Sequence, residues 1–297
     1  MNMLDVQPRV SVKNVLYATD FSPVAEFAAP IAAELARKFG AKVLAVHVRP
    51  PQVYGLAPPE SWPAIQEAAD KQTEEQKKHL EGLFRGVKNS ALIGEGDTAE
   101  VISALIKDKE IDLVVIGTHG RRNLEKVLLG SVAEKILRRS PVPVLTVGPH
   151  VTSEPEQAAR VQHILYATDF SPASEVAAHF AISLAEENQA HLDLLHVIEP
   201  RKARDYDSAS ELVHARTAQL ESLVPTEAQL WGRPKYLVEV GKPAEEILKV
   251  AKRYKADLIV MGVKRTEHDL GASNHLPWAI AHKVISQARC PVLTVVG

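Results

Sequence analysis

The chain has 297 residues, of which 45% are hydrophobic and 24% charged, and its formal net charge at pH 7 is -2. This composition is typical of a soluble globular protein, and the small net charge argues against a nucleic-acid or membrane surface. One cysteine cannot form an internal disulfide, and no apolar run approaches the ~20 residues that span a bilayer, so we expect a cytoplasmic protein.

Short apolar runs alternate with amphipathic stretches in the first half of the chain. Predicted strands cover residues 14–19, 42–48, 90–93, 113–117 and 142–147, all rich in Val, Ile and Leu. Predicted helices include residues 26–39 and 64–84, and Ser22 followed by Pro23 is typical of an N-cap and a first helical residue. This alternation indicates an open α/β sheet.

The sequence contains two copies of the same domain. VLYATDFSP at residues 15–23 recurs as ILYATDFSP at 164–172, identical at eight of nine positions. Shorter pairs follow in the same order: AVHV with LLHV, GDTAEVI with GKPAEEI, DLVVIG with DLIVMG, and PVLTV with itself. Matches in one order indicate duplication. We predict one domain over residues 1–148, a linker over 149–160 and a second domain over 161–297.

Ligands of open α/β sheets bind at the carboxyl ends of the strands. There, in the first copy, Gly117 ends a predicted strand, Gly120 follows, and Gly130 and Ser131 begin the next predicted helix. Glycines let backbone N–H groups approach a ligand, and a helix N-terminus favours an anion. The segment is neither a P-loop nor a G-x-G-x-x-G turn. On these residues alone, an anion site and an ordinary strand-to-helix turn are equally compatible with it.

The spacing G-x2-G-x9-G-S resembles the nucleotide-binding signature of the universal stress protein family (UspA-like), and the order of the ATDFS, HV, glycine-loop and PVLTV segments is similar. The resemblance covers nearly all of both copies. It implies two tandem doubly wound domains, Rossmann-like and of the adenine nucleotide α-hydrolase-like kind. Each would be a five-stranded parallel sheet of order 3-2-1-4-5 flanked by helices. It also implies ATP as the ligand and leaves open whether Mg²⁺ accompanies it.

The ATP-binding members of that family imply roles for matching residues of the first copy. The residues that would surround the adenosine portion are Ala18, Thr19, Asp20, Val48, Ile116 and Gly117. The residues that would surround the phosphates are His119, Gly120, Gly130, Ser131 and Val132. In this comparison Asp20 contacts the ribose or the adenine edge, and Val48 offers its backbone to adenine.

The second copy departs from the signature. Val263, Lys264 and Arg265 replace the Thr-His-Gly turn, and counting back from PVLTV places Trp278 where Gly130 stands. A tryptophan ring there would obstruct phosphate, so we expect no ATP binding of the family kind in this copy. Asp169 nevertheless persists, which indicates that the ATDFSP turn also has a structural role.

Other chemistry-bearing residues favour structural interpretations. His47 and His196 occupy equivalent strand positions, where a partly buried, hydrogen-bonded histidine is favoured over a ligand. Cys290 precedes the last predicted strand and is interpreted as a small buried side chain. Arg138 and Arg139 are expected to be solvated charges on a helix.

Three functions follow from these observations. The leading hypothesis is an ATP-binding stress-response regulator or sensor, with the nucleotide in the first domain and the second domain mainly structural. The alternatives are a nucleotide-independent scaffold and an enzyme with at most weak ATP hydrolysis; beyond Asp20 and His119 no general base stands out. The last strands of the two copies are expected to pair in an intramolecular pseudo-dimer, with further homodimerisation left open.

Overall fold

The computed structural model describes residues 10–51, 58–118, 129–151, 159–200, 209–264 and 275–297. The strands of the first half are β1 (Asn14–Ala18), β2 (Lys42–Arg49), β3 (Asn89–Glu95), β4 (Leu113–Gly117) and β5 (Val144–Val147). Those of the second half are β6 (His163–Thr168), β7 (His191–Ile198), β8 (Lys235–Val240), β9 (Leu258–Val263) and β10 (Val292–Val296).

Helices connect these strands within the described residues. The first half contains α1 (Pro23–Phe39), α2 (Trp62–Leu83), α3 (Thr98–Asp108) and α4 (Ser131–Arg139). The second half contains α5 (Pro172–Asn188), α6 (Ala209–Ser222), α7 (Pro243–Arg253) and α8 (His275–Gln287).

The strand order confirms the predicted fold class. The order along the sheet is β3-β2-β1-β4-β5-β10-β9-β6-β7-β8, so each half has the order 3-2-1-4-5 when its strands are numbered by themselves. Within each half the strands are parallel, with β1 pairing between β2 and β4. A reversal of strand order at β1 brings the ends of β1, β2 and β4 together at one edge.

The two halves share one ten-stranded sheet. Strand β5 pairs antiparallel with β10, as the exposed last strands led us to expect. The hydroxyl of Thr146 donates to the carbonyl oxygen of Val292 at 3.0 Å, and that of Thr294 donates to Val144 at 3.2 Å. These two buried hydrogen bonds fix the register of β5 against β10.

Two apolar layers cover the faces of the sheet. One contains buried residues of α1 and α5 with Leu80 of α2 and Leu220 of α6, and the other contains residues of α3, α4, α7 and α8. Side chains alternate between the layers along a strand, so Tyr17 faces the first layer and Leu16 the second. Each layer continues across the boundary between the halves.

Local sequence accounts for where α1 and β5 begin. The Ser22 hydroxyl accepts from the N–H of Ala25 at 3.3 Å, and Pro23 is the first helical residue, as predicted. Strand β5 begins two residues later than expected, because Ser140 and Val142 form a tight turn in which the Ser140 hydroxyl donates to the Val142 carbonyl at 2.7 Å.

Candidate functional site

A short turn follows β1 at the carboxyl edge of the sheet and carries the predicted aspartate. The N–H of Ser22 donates to Oδ1 of Asp20 at 3.0 Å, and the N–H of Phe21 donates to the hydroxyl of Thr19 at 2.9 Å. The Thr19 N–H donates to the carbonyl oxygen of Val46 in β2 at 2.9 Å, which extends the pairing of β1 with β2 by one bond. With the Ser22 hydroxyl that accepts from Ala25, three side chains of this turn satisfy backbone groups, which confirms a structural role for the ATDFSP segment and leaves Asp20 half-buried at the edge.

The N-terminus of α4 is tied to the end of the neighbouring strand. The N–H of Gly130 donates to the carbonyl of Thr118, directly after β4, at 2.8 Å. Gly130 is the N-cap with φ -62° and ψ 144°, a backbone conformation open to any residue, and as a glycine it has no side chain to cap the helix. Ser131 and Val132 are exposed in the first turn. Uncapped N–H groups at a helix start are available to an anion.

Gly117 has a packing reason independent of any ligand. A Cβ at this position would lie 3.0 Å from the Cα and N of Ala25 in α1. In the second half, a Cβ on Gly262 would lie 2.4 Å from the carbonyl carbon of Ala173 and the N of Ser174. These glycines let the first turn of a helix rest on the end of a strand, which the sequence analysis did not anticipate.

The structure brings most of the sequence-predicted residues to one edge. Ala18 pairs with Val46 of β2 and with Ile116 of β4, so three strand ends lie side by side. The predicted residues that the structure describes at this edge are Ala18, Thr19, Asp20, Val48, Ile116, Gly117, Gly130, Ser131 and Val132. His119 and Gly120 lie outside the described residues.

The corresponding edge of the second half contains a cavity of about 60 Å³. Its polar lining residues are Thr168, Asp169 and Ser174, and Leu195 and Met261 contribute to its apolar walls. The Ser174 hydroxyl donates to Oδ1 of Asp169 at 2.6 Å. Burial raises the pKa of Asp169, but hydrogen bonds from Ser171 and Ser174 outweigh it, so the net pKa lies below the usual range.

Ser174 marks a difference between the halves. Its counterpart in α1 is Ala25, which has no hydroxyl to offer Asp20. The second half therefore holds its aspartate with a side chain of its own helix, a feature that the near-identical turn sequences conceal.

Trp278 does align with Gly130, because α4 and α8 end at equivalent residues, Arg139 and Gln287, but the two helices begin at different places. Helix α8 begins at His275, so Trp278 lies inside the helix instead of at the N-cap equivalent to Gly130. Its ring lies under the guanidinium of Arg138 in α4, with Cζ 4.5 Å from the ring centroid, and it does not line the cavity. The interpretation of Arg138 as a solvated charge is wrong, because its guanidinium packs on this ring. Trp278 contacts the first half across the boundary.

The remaining structural interpretations are confirmed. Nδ1 of His47 lies 2.8 Å from the Thr19 carbonyl, and Nδ1 of His196 lies 2.9 Å from that of Thr168. Cys290 is buried, and burial raises the pKa of its thiol to about 12. Such a thiol is protonated at neutral pH and is a poor nucleophile.

Two further kinds of site are absent from the residues that the structure describes. Across those ranges, no group of three or more His, Cys, Asp or Glu side chains is arranged to hold a metal ion. No helix in the same part of the chain combines the length and apolarity needed to cross a membrane.

The fold defines a class of protein: a tandem doubly wound α/β chain with a reversal of strand order in each half. The sequence model of the universal stress protein family matches residues 11–148 and, separately, residues 160–296. The chain therefore belongs to the universal stress protein family, as a tandem member with two family domains.

Individual relatives agree with this assignment. A universal stress protein of Mycolicibacterium smegmatis is 27% identical over 302 residues, covering 95% of this chain and 96% of the relative. Universal stress protein MJ0531 of Methanocaldococcus jannaschii is 36% identical over 138 residues, covering 46% of this chain and 81% of the relative. The crystal structure of a universal stress protein from Archaeoglobus fulgidus is similar in fold, with a TM-score of 0.68 at 18% identity, over 96% of this chain and 97% of that one.

Proposed function

We propose that the first half binds ATP at the carboxyl edge of its sheet and that the chain acts as a nucleotide-responsive regulator or sensor in the stress response. The observation that carries this proposal is the bond from the Gly130 N–H to the Thr118 carbonyl at 2.8 Å. It brings the N-terminus of α4 to the edge at which Asp20 follows β1. An anion site and a polar acceptor thus face one ligand position.

The phosphate end of the ligand would lie at α4. The first N–H groups of a helix have no partner within the helix, and the helix dipole favours negative charge there. Ser131 adds an exposed hydroxyl in the first turn, and Gly130 presents no side chain that would compete with a phosphate for these donors. His119 and Gly120 would complete this end, as the family resemblance implies. The donors present therefore fit a polyphosphate.

The adenosine end would lie over the three strand ends. A carboxylate accepts only, so Asp20 suits the hydroxyls of a ribose or the amino group of an adenine. Val48 is half-buried near the end of β2 and would offer its backbone, and Ile116 lies buried beneath the edge at the end of β4. Ala18, Thr19 and Gly117 form the floor between them.

The second half has a different role in this proposal. Ser174 already donates to Asp169, and Val263 and Lys264 stand where Thr118 and His119 stand in the first half. We propose that this half is mainly structural and binds ATP weakly or not at all.

Calorimetric titration of nucleotide-stripped protein with ATP, with and without Mg²⁺, tests the proposal. We expect one site per chain. Asp20→Ala should weaken binding by about tenfold or more, because a hydrogen bond to a charged group contributes ~1.5–3 kcal/mol and 1.4 kcal/mol is a factor of ten. Asp169→Ala is the matched control: it breaks the equivalent turn and should leave the affinity unchanged.

Other outcomes separate the alternatives. Absence of binding by the wild type would favour a nucleotide-independent scaffold. Two sites per chain, one removed by each variant, would overturn the structural role of the second half. ATP turnover above background that is lost in Asp20→Ala would favour a slow enzyme.

A further inference from the structure

A histidine on the second strand of each half contacts the turn that carries the aspartate. In the first half, Nδ1 of His47 lies 2.8 Å from the carbonyl oxygen of Thr19. In the second half, Nδ1 of His196 lies 2.9 Å from that of Thr168. A carbonyl oxygen only accepts, so Nδ1 carries the proton in both rings. Each histidine therefore donates across from one strand to the end of its neighbour.

The same rings pack against a phenylalanine with an unfavourable backbone. Phe21 and Phe170 both have φ of 59°, in the left-handed region that costs free energy for a residue with a Cβ. The His47 ring lies 4.5 Å from the Phe21 ring, centroid to centroid, and the His196 ring lies 4.6 Å from Phe170. A strained residue persists only where its surroundings hold it, and here the histidine contacts it directly.

The strained residue directly follows the aspartate. With Phe21 in the left-handed region, the N–H of Ser22 reaches Oδ1 of Asp20 at 3.0 Å. The histidine holds the residue before Asp20 through a hydrogen bond and the residue after it through ring contact. It lies on the α1 and α2 side of the turn, where its ring contacts Phe21.

The outer contacts of the phenylalanines differ between the halves. His79 of α2 lies 5.6 Å from the Phe21 ring and pairs with Glu26 at 3.1 Å, whereas Arg216 of α6 lies 5.8 Å from the Phe170 ring. The strand histidine is the contact that the halves share. Because the contact is present in both halves, it does not depend on the residues of α2 and α6 that differ between them.

We infer that His47 is a positioning residue for nucleotide binding: it fixes the Thr19–Ser22 turn so that the Asp20 carboxylate faces the ligand. This inference rests on the proposed function. His47 does not touch the ligand, so its effect reaches only the part of the nucleotide that Asp20 contacts. The phosphate end, held at α4, is independent of it.

His47→Phe keeps an aromatic ring against Phe21 and removes the donor to Thr19, and His196→Phe makes the same change in the second half. The affinity of each full-length variant is measured for ATP, adenosine and inorganic triphosphate. The affinities of ligands that bind too weakly for direct titration are measured by competition with ATP. We expect His47→Phe to weaken ATP and adenosine by similar factors of about three- to tenfold, the range for one lost hydrogen bond, with triphosphate unchanged. Both variants should lower the unfolding temperature by similar amounts. The affinity of His196→Phe for ATP should stay within twofold of the wild-type value.

His47→Asn is the conservative variant, because an amide N–H occupies nearly the place of Nδ1–H. It should restore part of the lost adenosine affinity. Hydrogen exchange at the Phe21 and Ser22 amides gives a readout without ligand: His47→Phe should accelerate it, and His196→Phe should not.

Three results would overturn the inference while leaving the proposed function intact. They are unchanged ATP and adenosine affinities in His47→Phe, an equal loss of triphosphate affinity, and unchanged exchange at the turn. Absence of ATP binding by the wild type would instead overturn the proposed function and this inference with it, and faster exchange in His47→Phe would then show only that His47 holds the turn.

Discussion

The two halves of this chain share a fold, a strand order and a turn sequence, yet they differ at the places where a ligand would bind. The first half places an uncapped helix start beside Asp20, whereas the second half engages Asp169 with Ser174 and begins α8 earlier than α4. The two copies share the turn residues that hydrogen-bond at the sheet edge, and they differ in the side chains and helix starts around that turn. Identity between repeats therefore marks structural need as readily as ligand contact.

The ATDFSP turn shows this most clearly. In both halves the threonine hydroxyl, the aspartate and the serine accept backbone N–H groups, and the phenylalanine takes a left-handed conformation. These requirements follow from chain geometry alone. They explain why eight of nine residues match although the loops that follow β4 and β9 do not.

The largest loss of stability is expected where the first turn of a helix packs on the end of a strand, at Gly117 and Gly262. Gly262→Ala places a Cβ 2.4 Å from helix backbone, whereas Gly117→Ala places one at 3.0 Å. Since overpacking costs ~1–3 kcal/mol, we expect about 3 kcal/mol for Gly262→Ala and about 1 kcal/mol for Gly117→Ala in urea unfolding.

Gly82→Ala is the control for these two substitutions, because no atom lies within 4 Å of a Cβ there. It should be neutral or stabilise by up to about 1 kcal/mol through helix propensity. Equal losses for Gly117→Ala and Gly262→Ala would contradict a tighter contact in the second half.

An intermediate effect is expected at the opposite edge of the sheet. Asp193 is buried in β7 where Leu44 stands in β2, and His163, His191 and Lys235 replace Asn14, Lys42 and Ser90. Burial raises the pKa of Asp193, and the attraction of Lys235, His163 and His191 offsets this only in part.

The sign of the pH dependence follows from that direction. Because the folded pKa lies above the ordinary value of 3.8, ionised Asp193 costs stability at neutral pH, and this cost disappears as the pH falls through the raised pKa towards 3.8. Asp193→Leu should stabilise by about 2 kcal/mol at pH 7 and by clearly less near pH 4. A gain that is equal at both pH values in urea titrations would contradict a charge effect.

The smallest expected effect concerns the boundary between the halves. The guanidinium of Arg138 lies over the Trp278 ring at 4.5 Å. A double-mutant cycle of Arg138→Ala and Trp278→Leu should give a coupling free energy of about 0.5–1 kcal/mol. A coupling of zero would mean that this contact contributes nothing to the association of the halves.

Sequence reasoning predicted the elements well where the signals were local. Apolar runs located all five strands of the first half, and Ser22 with Pro23 located the start of α1. It aligned Trp278 with Gly130 but did not reveal that α8 begins earlier than α4, which places Trp278 inside the helix. It also gave no signal for Ser174, which replaces Ala25 two positions beyond the matching segment.

The sequence by itself determined the duplication and the alternation of strands and helices, because periodicity, caps and motif spacing are properties of neighbouring residues. The 3-2-1-4-5 order was implied by the family resemblance that the motifs carry. Only the tertiary structure decided which partners the side chains find. The contacts of His47 with Thr19, Thr146 with Val292, and Arg138 with Trp278 join residues 28, 146 and 140 positions apart. No local pattern encodes those distances, since they arise when strands and helices pack.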